Sequence, residues 1–317
     1  MPTRTDRPPS GLPYAIGVYL LWGLFPFYFR LVRHVPALEM VGWRILFTIP
    51  VCIAIVAWRG QFAPVRLALR DRRVPGALAA SSLLIGSNWL VYVFAIQSGH
   101  VFATSLGYYI NPLVNVLAGT LFLRERLTRP QWLAVALATV GVVILAWGAR
   151  EMLWISLMLA FSFAGYGLVR KLAPVEALPG LTIESLILAL PAAGIVLWYA
   201  ASPAGSSLGV TPGTDFLLAI SGLVTAIPLL LFAVAARRME YSTLGFIQFL
   251  TPTILFLLGL TVFGEPLRPV QLACFGFIWS AIAVFSFDLL ARRRGRGTGA
   301  GRRRKGHDAG PDRARPT

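Results

Sequence analysis

Ten long apolar segments alternate with short polar connections along this chain. Each segment holds roughly 20 residues, the length at which an α-helix crosses a hydrocarbon core about 30 Å thick. Prolines lie near several segment starts, and the sequence SPAGSSLGVTPGTD separates the seventh segment from the eighth. The pattern predicts an all-α membrane protein with ten transmembrane helices. The predicted spans are 12–32, 36–58, 76–97, 101–123, 130–148, 152–170, 180–200, 214–236, 242–263 and 269–290.

Composition supports the same class of protein. Only 13% of the residues are charged and 56% are hydrophobic, whereas a water-soluble domain carries roughly 25% charged residues. Arg4 and Arg7 precede the first segment, but that segment is long for a signal-peptide core and no cleavage motif follows it, so it is predicted to remain as a span. Cys52 and Cys274 fall within apolar segments and are predicted to be packing residues rather than a disulfide.

The net charge of +16 is distributed unevenly. Arginines and lysines concentrate in alternate connections and in the two terminal segments, and basic connections lie on the cytosolic side of membrane proteins. We therefore expect both termini in the cytosol, with a short N-terminal segment at 1–11 and a disordered tail at 291–317. The Gly- and Arg-rich tail is expected to contact anionic lipid rather than nucleic acid.

A shift of 140 residues without gaps reveals an internal repeat. It places Glu125 on Glu265, Pro112 on Pro252 and Gly119 on Gly259. The repeats would occupy 12–148 and 149–290, each with five spans. Because five is odd, the second repeat enters the membrane with the opposite orientation, and such inverted repeats place a transport site at their interface near the membrane midplane.

Polar residues interrupt the fourth and ninth spans at matching places. Thr104, Tyr108, Asn111 and Asn115 are spaced four, three and four residues apart, which places them on one helix face. In the ninth span Gln248 and Thr251 precede Pro252, and the repeat shift superposes this group on Tyr108, Asn111 and Pro112. We expect a kink at each proline. The polar groups either line a central cavity or hold helices together.

Charged residues also occur within the predicted spans. Arg44 lies about a third of the way along the second span, and the repeat shift superposes it on Glu184. Charges inside a membrane usually face a cavity or a partner, so Arg44 is a candidate solute-binding residue. The alternative is that it reaches the outer surface, with Glu39 one turn away as its partner. Glu39, Glu184 and His100 are candidates for proton coupling.

Further candidates come from helical spacing and aromatic character. Asn88 and Tyr92 share one face of the third span, and Tyr166 offers an aromatic wall. The hypothetical solute-binding set is Arg44, Asn88, Tyr92, Tyr108, Asn111, Asn115, Tyr166, Gln248 and Thr251. Glu125 and Glu265 follow spans in short cationic turns, which indicates a role at a helix end or in topology.

Four stretches identify a family resemblance. They are LWGLFPFYFRLVRHVPALE at 21–39, the segment beginning NWLVYVFAIQSGHVFATSLGYYINPL at 88–143, LAFSFAGYGLVRK at 159–171 and YSTLGFIQFLTPTILFLLGLTVFGEPL at 241–267. These strongly resemble the RarD branch of the EamA-type drug/metabolite transporters. The resemblance implies two five-helix repeats, a bacterial inner-membrane location and a permease role. Members often carry a Glu between GHV and SLGY, where this chain has Phe-Ala-Thr, and a Gly where this chain has Arg124.

The predicted function is secondary transport of a small metabolite or drug by alternating access between the two repeats. A GxxxxGK[ST] loop is absent from the sequence, so transport would use an ion gradient or exchange. An intramembrane arginine among aromatic residues suits a partly anionic, partly apolar solute. We expect neither a cofactor nor a metal, and a homo-oligomer remains open.

Two other functions stay open at this point. In a non-transporting partner or regulatory subunit, close helix packing would fill the polar stripe. A membrane-embedded enzyme would need a compact set of acid, base or metal ligands, whereas the three histidines are scattered along the chain.

Overall fold

The computed structural model describes residues 10–98, 100–147, 153–203, 205–264, 266 and 268–305, with the backbone alone at 97, 101, 102 and 293–305. Glu265, one of the two repeated glutamates, lies outside these residues. The described chain forms helices throughout. They are α1 (Leu12–Gly23), α2 (Phe25–Leu31), α3 (Ala37–Trp58), α4 (Phe62–Arg70), α5 (Arg73–Gln97), α6 (Val101–Leu121), α7 (Arg129–Ala146), α8 (Leu153–Leu172), α9 (Ala177–Ala201), α10 (Pro212–Arg238), α11 (Tyr241–Gln248), α12 (Leu250–Thr261) and α13 (Pro269–Lys305).

The prediction of an all-α membrane protein is confirmed. Within the described residues, nine helical stretches are long and apolar enough to cross a membrane, with α1 and α2 forming one stretch and α11 and α12 another. The 21-residue helix α6 supplies the tenth predicted span. Most predicted ends lie within a few residues of the observed helix ends.

Two of the ten spans are broken. The first breaks at Leu24, and Pro26 occupies the first turn of α2. The ninth breaks at Phe249, three residues before Pro252, because proline cannot donate a backbone hydrogen bond to the preceding turn. By contrast, α6 continues through Pro112 as one helix.

Two elements differ from the sequence prediction. Helix α4 lies where only a basic connection is predicted; Phe62, Leu67 and Leu69 are exposed while Ala68 is buried, as in a helix that lies along a membrane surface. Helix α13 continues past the predicted end at Leu290 as far as Lys305, so the predicted disordered tail is wrong over its first part. Extending an existing helix costs far less than nucleating one, and arginine is a good helix former.

The helices pack in the pattern that two related halves produce. Corresponding helices contact each other in three places: α3 with α9, α6 with α11, and α7 with α13. The contact between α5 and α8 recurs as the contact between α10 and α1, and the contact between α6 and α8 recurs as that between α12 and α1. This is the arrangement of two inverted five-helix repeats.

Glycines permit the closest crossings between the halves. A Cβ at Gly222 of α10 would lie 2.1 Å from the carbonyl oxygen of Phe47 in α3, and a Cβ at Gly245 of α11 would lie 2.7 Å from that of Pro112 in α6. The backbones approach this closely only because these positions lack side chains. The two proline-containing regions therefore do meet at the interface of the halves.

The helix directions define two faces. The basic face holds the α3–α4, α6–α7, α8–α9 and α10–α11 connections, with their arginines and lysines. The opposite face holds the α2–α3, α5–α6 and α9–α10 connections.

Candidate functional site

Arg44 is held in α3 by one hydrogen bond and two aromatic rings. Its Nε donates to Oγ1 of Thr225 in α10 over 3.0 Å. Its guanidinium carbon lies 5.3 Å from the centroid of the Trp89 ring and 5.6 Å from that of Phe29. Within the described part of the chain, the ion pairs are Arg170–Glu184 and Arg292–Asp288, so Arg44 has no carboxylate partner there. Arg44 is thus an uncompensated cation inside the bundle.

Three tyrosines approach Arg44 from different helices. Tyr28 of α2, Tyr92 of α5 and Tyr108 of α6 all interact electrostatically with the guanidinium. Tyr108 is 41% exposed, although Leu106 in the same helix is fully buried. We call this group of side chains the Arg44 chamber. It consists of Tyr28, Phe29, Arg44, Trp89, Tyr92, Tyr108 and Thr225.

The Arg44 chamber lies between the middle of the bundle and the opposite face. Arg44 is seven residues from the start of α3 and Tyr92 is five residues from the end of α5, and both helix ends lie at that face. Tyr28, Arg44 and Tyr92 are all half-buried. Of the predicted solute-binding residues, the structure brings Arg44, Tyr92 and Tyr108 together here.

The polar stripe of α6 is filled by other helices. Asn115 Nδ2 donates to Asn111 Oδ1 (3.2 Å) and to Gln248 Oε1 (2.5 Å), and Gln248 Nε2 donates to Asn111 Oδ1 (2.8 Å). Asn111 Nδ2 also donates to the Ala160 carbonyl of α8. Thr251 donates to the carbonyl of Tyr19 in α1. These four side chains join the halves, because amides buried among apolar helices need partners.

Asn88 is likewise bonded to a neighbouring helix. Its Nδ2 donates over 2.9 Å to both the Leu159 carbonyl and the Ser162 hydroxyl of α8. In this conformation Asn88, Asn111, Asn115, Gln248 and Thr251 therefore form hydrogen bonds to other helices, and their contact with solute stays a prediction. Helical spacing locates the shared face correctly, but it does not tell whether another helix covers that face.

Glu39 does not pair with Arg44. It is fully buried at the start of α3 and accepts hydrogen bonds from Trp43 Nε1 (3.1 Å), the Ser206 hydroxyl (2.8 Å), and the backbone and hydroxyl of Ser207 (2.8 and 2.7 Å). It thereby fixes the α9–α10 connection to α3 at the opposite face. The predicted local partnership with Arg44 is wrong because the polar loop supplies closer donors.

His100 is the residue at which α6 begins. Its carbonyl accepts from the backbone N–H groups of Ala103 and Thr104. His100 therefore caps the first turn of α6 through its backbone carbonyl and not through its imidazole. The histidine lies in the α5–α6 connection, outside the Arg44 chamber as defined here.

Glu184 belongs to a second polar cluster, nearer the basic face. Its Oε1 lies 3.7 Å from Nε of Arg170 in α8 and accepts a hydrogen bond from Ser81 of α5. Tyr166 lies beside both charges and packs against Phe232. Glu184 and Arg170 are 2% and 1% exposed, respectively. Glu184 is therefore an interior residue, not an interfacial one.

The sequence alone does not predict the partners of these charges. Arg170 precedes Lys171 at the end of an apolar segment, as a topological charge would, and Ser81 and Thr225 are small polar residues in apolar spans. The internal repeat could have indicated these partners. The shift of 140 residues places Ser81 of α5 on Ser221, which lies one turn from Thr225 in α10. The helix that contacts Glu184 thus corresponds to the helix that contacts Arg44.

A narrow cavity connects the two charged regions. Its volume is about 10 Å³, room for roughly one water molecule. Thr48, Trp89, Tyr166, Glu184 and Thr225 are among its lining residues. Trp89 and Thr225 also belong to the Arg44 chamber, so the same cavity borders that group and Glu184.

Two cationic side chains bind the C-terminal ends of helices at the basic face. Lys171 Nζ donates to the carbonyls of Ala236 (2.8 Å) and Met239 (2.5 Å) at the end of α10. Arg237 in turn donates to the carbonyls of Ala173 and Val175 after α8. Positively charged side chains interact favourably with the partly negative C-terminal ends of helices. Together these bonds close the bundle at this face.

Glu125 binds the start of α11. One carboxylate oxygen accepts from the Tyr241 backbone N–H (2.6 Å), and the other from the backbone N–H (2.8 Å) and hydroxyl (2.6 Å) of Ser242. The carboxylate thus satisfies donors that a helix N-terminus leaves unpaired. Glu125 has a helix-end role, through hydrogen bonds rather than a salt bridge, and it connects the two repeats.

Comparisons with known proteins agree with this architecture. The model of the EamA-like transporter family matches residues 9–147. Protein RarD of Escherichia coli is 41% identical over 286 residues, which cover 90% of this chain and 96% of that protein. The chain belongs to the EamA-like transporter family.

Other relatives extend the comparison. An uncharacterized transporter of Pseudomonas aeruginosa is 45% identical over 283 residues, covering 87% of this chain and 93% of that protein. The uncharacterized transporter YojE of Bacillus subtilis is 38% identical, covering 90% and 96%. One solved crystal structure has the same fold, with a TM-score of 0.70 at 18% identity, covering 89% of this chain and 98% of that one.

Proposed function

We propose that the chain is a secondary transporter of the bacterial inner membrane that moves a small carboxylate with an apolar body by alternating access. One observation carries this proposal: Arg44 is a cation without a described carboxylate partner, enclosed by aromatic walls inside a membrane protein. The membership in a family of transporters sets the class of activity, and the Arg44 chamber supplies the site.

The chemistry of the chamber favours an organic anion. A guanidinium offers a planar set of donors that matches a carboxylate, and only Nε is used by Thr225. The faces of Trp89 and Phe29 and the ring of Tyr108 offer apolar contact to the rest of the solute. A bound carboxylate would also remove the cost of an unpaired charge inside the bundle.

The described conformation fits one stage of alternating access. If the basic face is cytosolic, as the positive-inside rule indicates, the Arg44 chamber lies toward the periplasm. The cytosolic end is then closed by Arg170–Glu184 and by the helix-end bonds of Lys171 and Arg237. Release to the cytosol requires these contacts to separate.

Uptake into proteoliposomes tests the proposal. The purified protein would be supplied with labelled hippurate and indole-3-acetate, and with uncharged hippuramide for comparison, under an inward proton gradient and without one. We expect the carboxylates to enter faster than hippuramide and Arg44→Gln to abolish the difference. Arg30→Gln removes an exposed arginine near the Phe263 ring and should leave uptake unchanged. Failure of both carboxylates to enter, or equal uptake by Arg44→Gln, would overturn the proposal.

A regulatory or partner subunit is the second candidate function. One observation favours it: the stripe of Asn111, Asn115 and Gln248 is filled by helix packing. The half-buried walls of the Arg44 chamber favour transport instead, since a purely structural subunit needs no unpaired cation within its helices. Saturable carboxylate uptake by the isolated protein would exclude the second candidate.

A further inference from the structure

We propose that Glu184 is a proton-binding site whose protonation opens the basic end of the bundle, and that protons reach it from the Arg44 chamber through the connecting cavity. The inference rests on the proposed function, since it names the coupling ion of that transporter. Its test measures the opening of the bundle directly and does not require that any solute be transported.

The ion pair of Glu184 is incompletely bonded. Its 3.7 Å distance to Arg170 Nε is too long for a good hydrogen bond. Oε2 of Glu184, and both Nε and Nη1 of Arg170, lack hydrogen-bond partners among the described residues. A buried pair is expensive unless hydrogen bonds satisfy its remaining donors and acceptors. Oε2 is therefore a free acceptor for a proton.

The groups around Glu184 come from every helix packed against α9. Helix α8 contributes Arg170 and Tyr166, α5 contributes Ser81, and α3 contributes Cys52. From α10, Arg237 is within electrostatic reach of Arg170. The charged side chains of α4, Arg66 and Arg70, are exposed. Arg170 is thus the charge that decides the state of the Glu184 carboxylate.

Gly180 leaves the space that the Arg170 side chain occupies beside Glu184. A Cβ at Gly180 of α9 would lie 2.0 Å from Nη1 of Arg170 and 2.8 Å from its Cζ. The Arg170 guanidinium also donates to the Ala177 carbonyl over 2.9 Å. The first turn of α9 therefore wraps around a guanidinium that belongs to α8. Separation of α8 from α9 must break this contact.

The connecting cavity gives a route for the proton. It is lined by Glu184 at one end and by Thr225, the acceptor for Arg44, at the other. Thr48 and Tyr166 are also among its lining residues, while most of its surface is apolar, so the proton would cross on a water molecule that enters only transiently. The proton passes from water to Oε2, which becomes a neutral carboxylic acid, and no other bond is made or broken.

Protonation changes the electrostatics of the basic end. The neutral acid no longer attracts Arg170, which then remains as an unpaired buried charge. Leaving one member of a buried pair without its partner is strongly destabilising. Entry of water between α8 and α9 relieves that cost by solvating the guanidinium. The deprotonated pair thus corresponds to the closed basic end, and the protonated acid to the open one.

Cys52 is a natural reporter of this opening. It lies beside Glu184 with a fully buried side chain. The test uses Cys274→Ser protein in inverted membrane vesicles, labelled with a membrane-impermeant maleimide. Labelling rates are divided by those of detergent-unfolded protein at the same pH, which removes the pH dependence of thiol reactivity.

Glu184→Gln mimics the protonated acid at every pH. We expect it to label Cys52 about tenfold faster than the parent at about pH 7.5, and the rate of the parent should rise toward that of the variant as the pH is lowered. Glu176→Gln is the matched control, because this glutamate lies at the start of the same helix and is exposed, bonded to Gln61. Its labelling should follow the parent.

A second variant protects the test against misfolding. Gly180→Ala displaces Arg170 while retaining the carboxylate, so it should also speed labelling at neutral pH if the pair holds the end closed. Equal labelling of the parent and Glu184→Gln, or faster labelling in right-side-out vesicles than in inverted ones, would overturn the inference. If labelling responds as expected but no carboxylate is transported, the inference stands and the proposed function fails. If carboxylate is transported but the labelling rate does not depend on pH, the proposed function stands and the inference fails.

Discussion

Arg44 and Glu184 are joined through one narrow cavity: Glu184 lies in its wall, and Arg44 donates a hydrogen bond to Thr225, which lines the same cavity. They are 140 residues apart in sequence and occupy corresponding positions of the two repeats. Each contacts a polar residue on the corresponding helix of the other repeat, Thr225 on α10 and Ser81 on α5. An inverted repeat with opposite charges at equivalent sites places a cation toward one face and an anion toward the other.

Arg44→Lys tests whether the shape of the guanidinium matters as well as its charge. Lysine keeps the positive charge but loses the planar donor set and the flat surface that faces Trp89. We expect the affinity for hippurate to fall about tenfold in Arg44→Lys and about a hundredfold in Arg44→Gln. Equilibrium binding to the purified protein in detergent measures both, and equal affinities in the two variants would show that only charge matters.

Glu125→Ala should destabilise the contact between the repeats. The carboxylate accepts three hydrogen bonds from Tyr241 and Ser242 at the start of α11. Losing a helix-capping carboxylate of this kind costs about 2 kcal/mol. The thermal unfolding midpoint in detergent reports the change, and Glu240→Ala, which removes an exposed acid next to the same helix, is the matched control. Equal midpoints for the two variants would contradict the capping role.

Gly119→Ala should reproduce the effect of losing Glu125. A Cβ at this glycine would lie 2.6 Å from Glu125 Oε2 and 2.9 Å from the Ser242 backbone nitrogen. The added methyl group displaces the carboxylate from the N-terminus of α11. Since both changes disrupt the same contact, we expect the double variant with Glu125→Ala to be less destabilised than the sum of the two single variants. Additive shifts in the unfolding midpoint would show that the two residues act independently.

Asn111→Ala separates helix packing from solute binding. The side chain bonds Asn115, Gln248 and the Ala160 carbonyl, so its loss leaves buried polar groups unpaired and should cost about 1–3 kcal/mol. The hippurate affinity of the protein that remains folded should stay within about twofold of the parent, because Asn111 does not border the Arg44 chamber. Thr139→Ala is the control in the thermal unfolding measurement, because it removes an exposed hydroxyl that is bonded only within its own helix. A large loss of affinity at unchanged stability would instead place Asn111 at the solute.

The sequence predicts the number and class of the helices because the bilayer imposes a length and a composition on every span. It also places Arg44 among aromatic residues and superposes it on Glu184. What it does not predict is which partner each polar group takes. Asn111 and Tyr108 share a helix face, yet one is covered by α8 and α11 while the other faces the chamber. That distinction depends on the packing of helices distant in sequence.

Two further parts of the molecule also have features that the sequence alone does not predict. The basic residues around α4 predict a connection but not its amphipathic helix, since its nine residues are too few to form a span. Arg170 is one residue from Lys171 in sequence, but Arg170 turns inward to Glu184, whereas Lys171 binds the end of α10. Charge counting assigns both to one surface, and only the fold separates them.

The most direct measurement of the central claim is the binding of hippurate and hippuramide to purified parent, Arg44→Gln and Arg30→Gln proteins by isothermal titration calorimetry. The two ligands differ only in that a carboxylate replaces a neutral amide. If Arg44 is the anion site, the parent and Arg30→Gln should prefer hippurate by at least about tenfold, and Arg44→Gln should bind both ligands equally weakly. A preference for hippurate that persists in Arg44→Gln would contradict the account.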